Sequence, residues 1–262
     1  MENFQAENIL VQEILSPAEM ALTTTNSTVQ LVNQADTKQR MNLAVECKDL
    51  MMLYVCAIKE MQTRLEVLNT EYTVRCRRNP IHSIHSRLKS SASIVEKLNR
   101  KGVPFSPENI EAYIQDVAGI RVICSYVDDI FMIAEAVSHQ DGVELVARKD
   151  YITHPKPNGY RSLHLILSVP VSFSRSVKNV KVEVQIRTIA MDCWASLEHQ
   201  LKYKHSIKNE QEIVEELRQC ALDMAHTDAT MQSLRARMDN DSPPSEDELL
   251  LEKLKRMDHP MD

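Results

Sequence analysis

The stretch Val180–Thr188 reads "VKVEVQIRT". Successive side chains of a strand point to opposite faces, so Val182, Val184 and Ile186 share one face and Glu183, Gln185 and Arg187 share the other. The apolar face asks for a covering layer. The polar face is either the wet side of an antiparallel sheet or a site. Glu183 stands in mid-strand, where an acid is disfavoured unless it is solvated or paired.

Working outward, "GIRVICSYV" (119–127), "VELVARKDYI" (143–152) and "SLHLILSVPV" (162–171) have the same apolar, β-branched character. A helix from about Asp128 to Ser138 separates the first two. Upstream the period changes to that of a helix: from Met41 to Tyr72, Leu50, Leu53, Ala57, Met61, Leu65 and Leu68 recur every three or four residues, until Asn79-Pro80 breaks the run. A shorter helix spans about Ser91–Arg100, and another begins with Ser106 as N-cap and Pro107 at its first position. Downstream, Ile189–Tyr203 and Glu210 to about Met238 read as long helices. "SPPSEDELLLEKLKRM" makes a last one, with Ser245 and Glu248 spaced as a capping box. The expected fold is α+β: a mixed sheet of about five strands flanked by helices, with helical arms at both ends. Residues 1–40 form a polar extension, weakly structured or helical, residues 41–205 the main domain, and residues 206–262 C-terminal helices suited to self-association.

Composition narrows the function class. The 262 residues are 43% apolar and 26% charged, ordinary for a globular chain. No apolar run is long enough to span a membrane, and the acidic N-terminus lacks the basic start of a secretory signal. Six cysteines without CxxC spacing argue against structural zinc and a disulfide framework, so a cytoplasmic location is expected. The net charge of −6 conceals an asymmetry: Arg75, Arg77, Arg78, Arg87, Lys89, Lys97, Arg100 and Lys101 face only Glu96 in their segment. This is either a solvated face or a wall for a polyanion.

Several residue groups carry chemistry. Arg87, Lys89 and Lys97 lie among hydroxyls (Ser83, Ser86, Ser90, Ser91, Ser93), a mixture suited to phosphate oxygens. Neither GxxxxGK[ST] nor GxGxxG is present, and four glycines leave little backbone to cradle phosphates. Side chains and metal must therefore do it. In "YIQDVAGIRVIC", Asp116 precedes a strand that carries Arg121 opposite Ile120, Val122 and Cys124. Asp116 and Glu183 on neighbouring strands make a plausible Mg²⁺ pair, since that ion takes one or two carboxylates and leaves its other positions to water and phosphate. The alternative is an Asp116–Arg121 or Glu183–Arg121 ion pair. The loop "HPKPNGYRSLH" (154–164) places Tyr160 beside Arg161 and His164 on a turn restricted by Pro155, Pro157, Asn158 and Gly159. Such a loop suits the stacking of a nucleobase, or it is a tight surface turn.

In order along the chain, "RLKSSASIVEKL", "DVAGIRVIC", "KDYITHPKPNGYRSLH", "VEVQIRT" and "WASLEHQLKYK" resemble the synthetase domain of the RelA/SpoT homologue superfamily, specifically its small alarmone synthetases. The resemblance implies transfer of the β,γ-pyrophosphate of ATP to the ribose 3′-hydroxyl of GTP or GDP, giving (p)ppGpp and AMP with Mg²⁺ as cofactor. It implies that Arg87 and Arg121 sandwich the adenine, with Lys89, Ser93 and Lys97 along the ATP phosphates. Asp116 would bind the metal. Glu183 would bind or orient it and serve as base. Tyr160 would stack on the guanine, with Lys156, Arg161 and His164 near the acceptor's phosphates and ribose. Gln185 and Arg187 would support the site, and Ala195 and Glu198 would border the guanine pocket. A homotetramer, synthesis without hydrolysis, and (p)ppGpp or single-stranded RNA as candidate regulators are further implications. The chain departs from many relatives in its first helix, where Lys59 and Arg64 stand as substitutes for pyrophosphate-binding lysines, and at Asp192, where some relatives have Asn. An RNA-binding module is a competing reading, but 5% aromatic residues offer few stacking platforms and the two acids would go unexplained. Another nucleotidyltransferase would bring a paired-acid Asp-x-Asp strand, which is missing.

Overall fold

The computed structural model describes residues 34–76, 78–204 and 210–241. Most of the polar extension and the last helix, with its Ser245/Glu248 capping box, lie outside the described residues.

A 43-residue helix, α1 (Gln34–Cys76), opens the described chain. It contains no glycine or proline, and Asn79-Pro80 follows its end. Its buried stripe, Leu50, Tyr54, Ile58, Met61, Leu65 and Leu68, packs on one face of a five-stranded sheet. Full burial of such side chains stabilises by roughly 1.5–3 kcal/mol each relative to exposure. Strands β1 (Ile81–Leu88), β2 (Ala118–Cys124), β3 (Glu144–Asp150), β4 (Leu163–Ser172) and β5 (Val177–Thr188) lie in the order β1-β2-β5-β4-β3. Only β2 and β5 are parallel; the other pairings are antiparallel, so the sheet is mixed as expected. Between strands run α2 (Ser91–Arg100), α3 (Pro107–Tyr113) and α4 (Val127–Ser138). Two helices close the described chain, α5 (Ile189–Lys204) and α6 (Glu210–Asp241). Ser106 caps α3 by accepting from the Asn109 N–H, with Pro107 at the first helical position.

The two faces of β5 separate as its alternation requires. Val182, Val184 and Ile186 are fully buried with Ile120, Val122 and Cys124 of β2 beneath α1 and α4. The register puts the polar set in rows on the other face. Arg87, Gly119 and Glu183 form one row, and His85, Arg121, Gln185 and His164 the next.

Strand β1 has no clear strand pattern in the sequence, where "IHSIHSRL" lies within the basic run. Its core-facing apolar residues are Ile81, Ile84 and Leu88, but a register shift between Ile81 and Ser83 breaks their spacing, and Ser86 stands between Ile84 and Leu88, bonded to Gln62 of α1. The basic run also divides. Arg75 pairs with Glu71 on α1, and Arg78 forms a bidentate bridge to Asp129, wholly buried in the first turn of α4. Arg235 of α6 approaches the same carboxylate at 3.6 Å. Arg78 thus holds the fold rather than a polyanion, and Arg75 sits in an exposed pair within its own helix.

Candidate active site

On the polar face, five side chains close a ring of hydrogen bonds. Glu183 accepts at Oε2 from the Gln185 side-chain amide (2.8 Å), and His164 Nδ1 lies 3.2 Å from Oε1. His164 Nε2 meets the Tyr160 hydroxyl at 2.8 Å. Arg187 Nη2 donates both to that hydroxyl and to Gln185 Oε1. Arg187 can only donate and an ionised carboxylate can only accept, which fixes the direction of every bond between them. Tyr160 O–H donates to Nε2, and Nδ1–H donates to Glu183. Burial opposes charge on Glu183, as does the nearby Asp116, but the bonds from His164 and Gln185 prevail and hold its carboxyl below the usual range.

A second cluster is built around Asp116 in the loop between α3 and β2. Lys89 Nζ bonds one carboxylate oxygen at 3.0 Å and Lys97 Nζ the other at 2.7 Å. Burial works against the charged form here too, and the two ammonium groups outweigh it, so Asp116 is also held below its usual range. Ser93 lies one turn before Lys97 on α2, and its N–H is capped by Ser90 Oγ. On the same face opens a cleft of about 180 Å³, lined by His85, Ser86, Arg87, Gly119, Ile120, Arg121 and, from the ring, Gln185. Arg87 crosses Gly119 so closely that a Cβ there would lie 3.3 Å from its Cγ. Arg121 forms an ion pair with Asp192 at 3.2 Å, while its Nε is buried without a hydrogen-bond partner. Neither ion pair weighed for Arg121, to Asp116 or to Glu183, is the one that forms.

The loop joining β3 to β4 brings in the aromatic ring. Asp150 starts it by accepting from the Ile152 and Thr153 N–H groups, and the turn closes through Gly159 N–H to Lys156 O (2.8 Å) and Lys156 N–H to Tyr160 O (3.1 Å). Gly159 has φ +90°, and a Cβ there would meet the Ala221 Cβ of α6 at 2.5 Å. Gly159→Ala is therefore expected to cost about 2 kcal/mol and lower the melting temperature by about 5 °C, checked by thermal unfolding. Lys156 Nζ lies 4.7 Å from the Tyr151 ring centre and 4.9 Å from that of Tyr160.

The region found in RelA / SpoT proteins matches residues 86–208. The chain is 40% identical to the GTP pyrophosphokinase YwaC of Bacillus subtilis over 192 residues, 73% of this chain and 91% of that protein. It is 35% identical to the GTP pyrophosphokinase YjbM of the same organism, covering 71% of this chain and 86% of that protein. The chain belongs to the RelA/SpoT family. Its fold superposes on the small alarmone synthetase 1 of Bacillus subtilis bound to its product pppGpp with a TM-score of 0.64 at 35% identity, covering 70% of this chain and 93% of that one.

Apart from Lys59 and Arg64 of α1, the matched RelA/SpoT region contains every site residue expected from the sequence, and the structure gathers most of them. Glu183, Gln185, His164 and Tyr160 share the ring, with Lys156 over the tyrosine; Lys89 and Lys97 share Asp116; Arg87 and Arg121 line the cleft. Ala195 and Glu198 lie on α5, where Glu198 accepts from Asn158 of the loop at 3.1 Å. Arg161 is the exception. It leaves the ring for the opposite side of the loop, where Nη1 lies 3.4 Å from Asp228 of α6. Arg64 is held by Glu60 and the Asp141 carbonyl rather than near Asp116. Two acids had no sequence signal as partners. Asp192 Oδ1 receives both Arg121 and Arg187 (3.1 Å), and Asp228, whose carboxyl burial pushes up, receives Thr188 Oγ1 at 2.9 Å. Among the described residues no three His, Cys, Asp or Glu side chains gather as a metal cage. Two ionised carboxylates suit an ion that completes its shell with phosphate and water, as Mg²⁺ does.

Proposed function

We propose that this chain is a (p)ppGpp synthetase, a GTP diphosphokinase that transfers the β,γ-pyrophosphate of ATP to the 3′-hydroxyl of GTP or GDP. The observation that carries the reading is an ionised Glu183, held by His164 and Gln185, close enough to feel the charge of an Asp116 that holds two lysines. In the reaction the acceptor 3′-oxygen bonds to the β-phosphorus of ATP, the bond from that phosphorus to the α,β-bridging oxygen breaks, and AMP leaves. The hydroxyl proton passes to Glu183. A carboxylate held so firmly ionised is a modest base, so placement of the hydroxyl by hydrogen bond matters as much as proton affinity. Lys89 and Lys97 offer charge to the transferring phosphates, and Ser93 stands on the same side of α2. Arg87 and Arg121 flank the donor purine, and the unpartnered Arg121 Nε–H is a donor for it. Tyr160 is the guanine platform, its hydroxyl fixed by Arg187 and His164 so that the ring cannot turn. Asp116 and Glu183 would hold Mg²⁺, which supplies charge neutralisation to the phosphates.

Incubation with ATP, GTP and Mg²⁺ is expected to release one AMP for each guanosine nucleotide that gains two phosphates, and EDTA to stop the reaction. No AMP release under these conditions would overturn the reading. We further propose that residues 41–205 form the synthetase domain and residues 206–262 the oligomerisation helices of a homotetramer. The exposed Leu222, Met231, Leu234 and Met238 of α6 support this. A cytoplasmic location is supported by the free thiols Cys47, Cys56, Cys124, Cys193 and Cys220 and by the nucleotide substrates.

A further inference from the structure

Helix α6 lies beyond the matched family region, yet it is fastened to the synthetase face along several turns. The Trp194 indole N–H donates to the Leu217 carbonyl at 2.8 Å, and Ala221 packs against Gly159 so tightly that no Cβ fits there. Further on, Gln232 accepts from the Asp128 N–H, and Arg235 reaches Asp129 and lies over the Tyr126 ring. Asp228 sits midway between these anchors.

Its carboxylate is 9% exposed and gathers two elements on one oxygen. Oδ2 accepts from Arg161 Nη1 at 3.4 Å and from Thr188 Oγ1 at 2.9 Å. Arg161 directly follows Tyr160, so fixing its guanidinium behind the loop fixes the peptide that carries the ring. Thr188 ends β5, and its hydroxyl accepts from the Met191 N–H at 3.1 Å, which caps the first turn of α5. That turn carries Asp192, the partner of Arg187, and Arg187 bonds the Tyr160 hydroxyl. Two routes therefore run from Asp228 to Tyr160: one along the loop backbone, the other through α5 and Arg187. A tyrosine held only at its hydroxyl could tilt; held also at its backbone, it presents one face.

We propose that Asp228 is a positioning residue for the acceptor nucleotide: it sets the Tyr160 platform through Arg161 and Thr188 without itself touching substrate. This makes α6 a working part of the acceptor site and not only a surface for self-association. The proposal rests on the synthetase reading, and the donor side of the site, around Asp116 and Arg87, has no bond to Asp228.

The test is steady-state kinetics of the full chain with GDP and ATP varied in turn. Asp228→Asn keeps shape and a hydrogen-bond acceptor for Thr188 but removes the charge that orders Arg161. It is expected to raise the KM for GDP about tenfold, with kcat and the KM for ATP within twofold of the parent. Arg161→Lys keeps a charged partner at shorter reach and is expected to raise the same constant about threefold. The double variant should resemble Asp228→Asn alone, because the two residues act through one contact. A GDP constant unchanged in Asp228→Asn, or equal rises in both KM values, would overturn the proposal. An inactive parent protein would instead overturn the synthetase reading.

Discussion

Glu183→Gln is expected to leave the protein folded and to slow pyrophosphate transfer about 10³-fold, within the range that a positioned proton acceptor contributes. The ring explains why so small a change is not absorbed. Both neighbours, His164 Nδ1–H and the Gln185 amide, donate to Glu183, and both arms begin at Arg187. A glutamine brings one donor group into a place with no acceptor. If the Gln185 amide flips to receive it, its NH₂ faces the Arg187 guanidinium. If His164 changes tautomer instead, the Tyr160 O–H loses its acceptor and Arg187 cannot replace it. Either response leaves a partly buried donor unpaired, at a cost of about 1–2 kcal/mol to stability. Single-turnover release of AMP and a thermal melt separate the two effects. Full transfer activity in a folded variant would remove Glu183 from the chemistry.

The alternation in "VKVEVQIRT" was sufficient to place the site on one face of β5, because a period of two leaves no other arrangement once Val182, Val184 and Ile186 are buried. Helices α1 and α5 were legible for a similar reason: an apolar stripe, no glycine, and a clear break or start. Strand β1 was hidden since Ser86 occupies a core-facing position and bonds Gln62, so its apolar period is interrupted. The partners of the site were hidden by distance along the chain. Asp228 lies 67 residues from Arg161 and 40 from Thr188, and no local pattern connects positions so far apart. Arg78 carried the same charge signal as Lys89 but meets a buried acid instead of the cleft. Charge runs announce potential; only the fold assigns each side chain to an anion.

The pairing of both carboxyls also sets a pH dependence of stability. Glu183 and Asp116 are held below their usual ranges in the folded chain, so the folded state binds fewer protons than the unfolded one in acid. Their contribution to stability is complete above the unfolded values and is lost as pH falls through the folded ones, below about pH 4. At neutral pH neither carboxyl titrates, and both remain available to metal and phosphate chemistry.

Asp116→Asn is expected to lower kcat about 10²-fold or more while costing about 1–2 kcal/mol of stability. The carboxylate assigns one oxygen to each lysine, Oδ2 to Lys89 and Oδ1 to Lys97. An asparagine can accept only one of them, and its amide N–H groups face the other ammonium. Lys89 and Lys97 side chains are 16% and 29% exposed, so the displaced one can reach water, which is why the fold tolerates the change. Catalysis does not tolerate it, for two separate reasons. The lysines lose the common anchor that aims them at the phosphates, and the proposed metal pair loses one of its two carboxylates. Raising Mg²⁺ restores neither the anchor nor a missing charge, so saturating magnesium should leave the variant at least tenfold below the parent. Substituting Lys97→Met separates the contributions: it removes one ammonium but leaves Asp116 charged, and it is expected to weaken ATP binding more than it lowers kcat. An Asp116→Asn protein with near-parental kcat would show that the two lysines, and not the carboxylate between them, carry the donor side of the reaction.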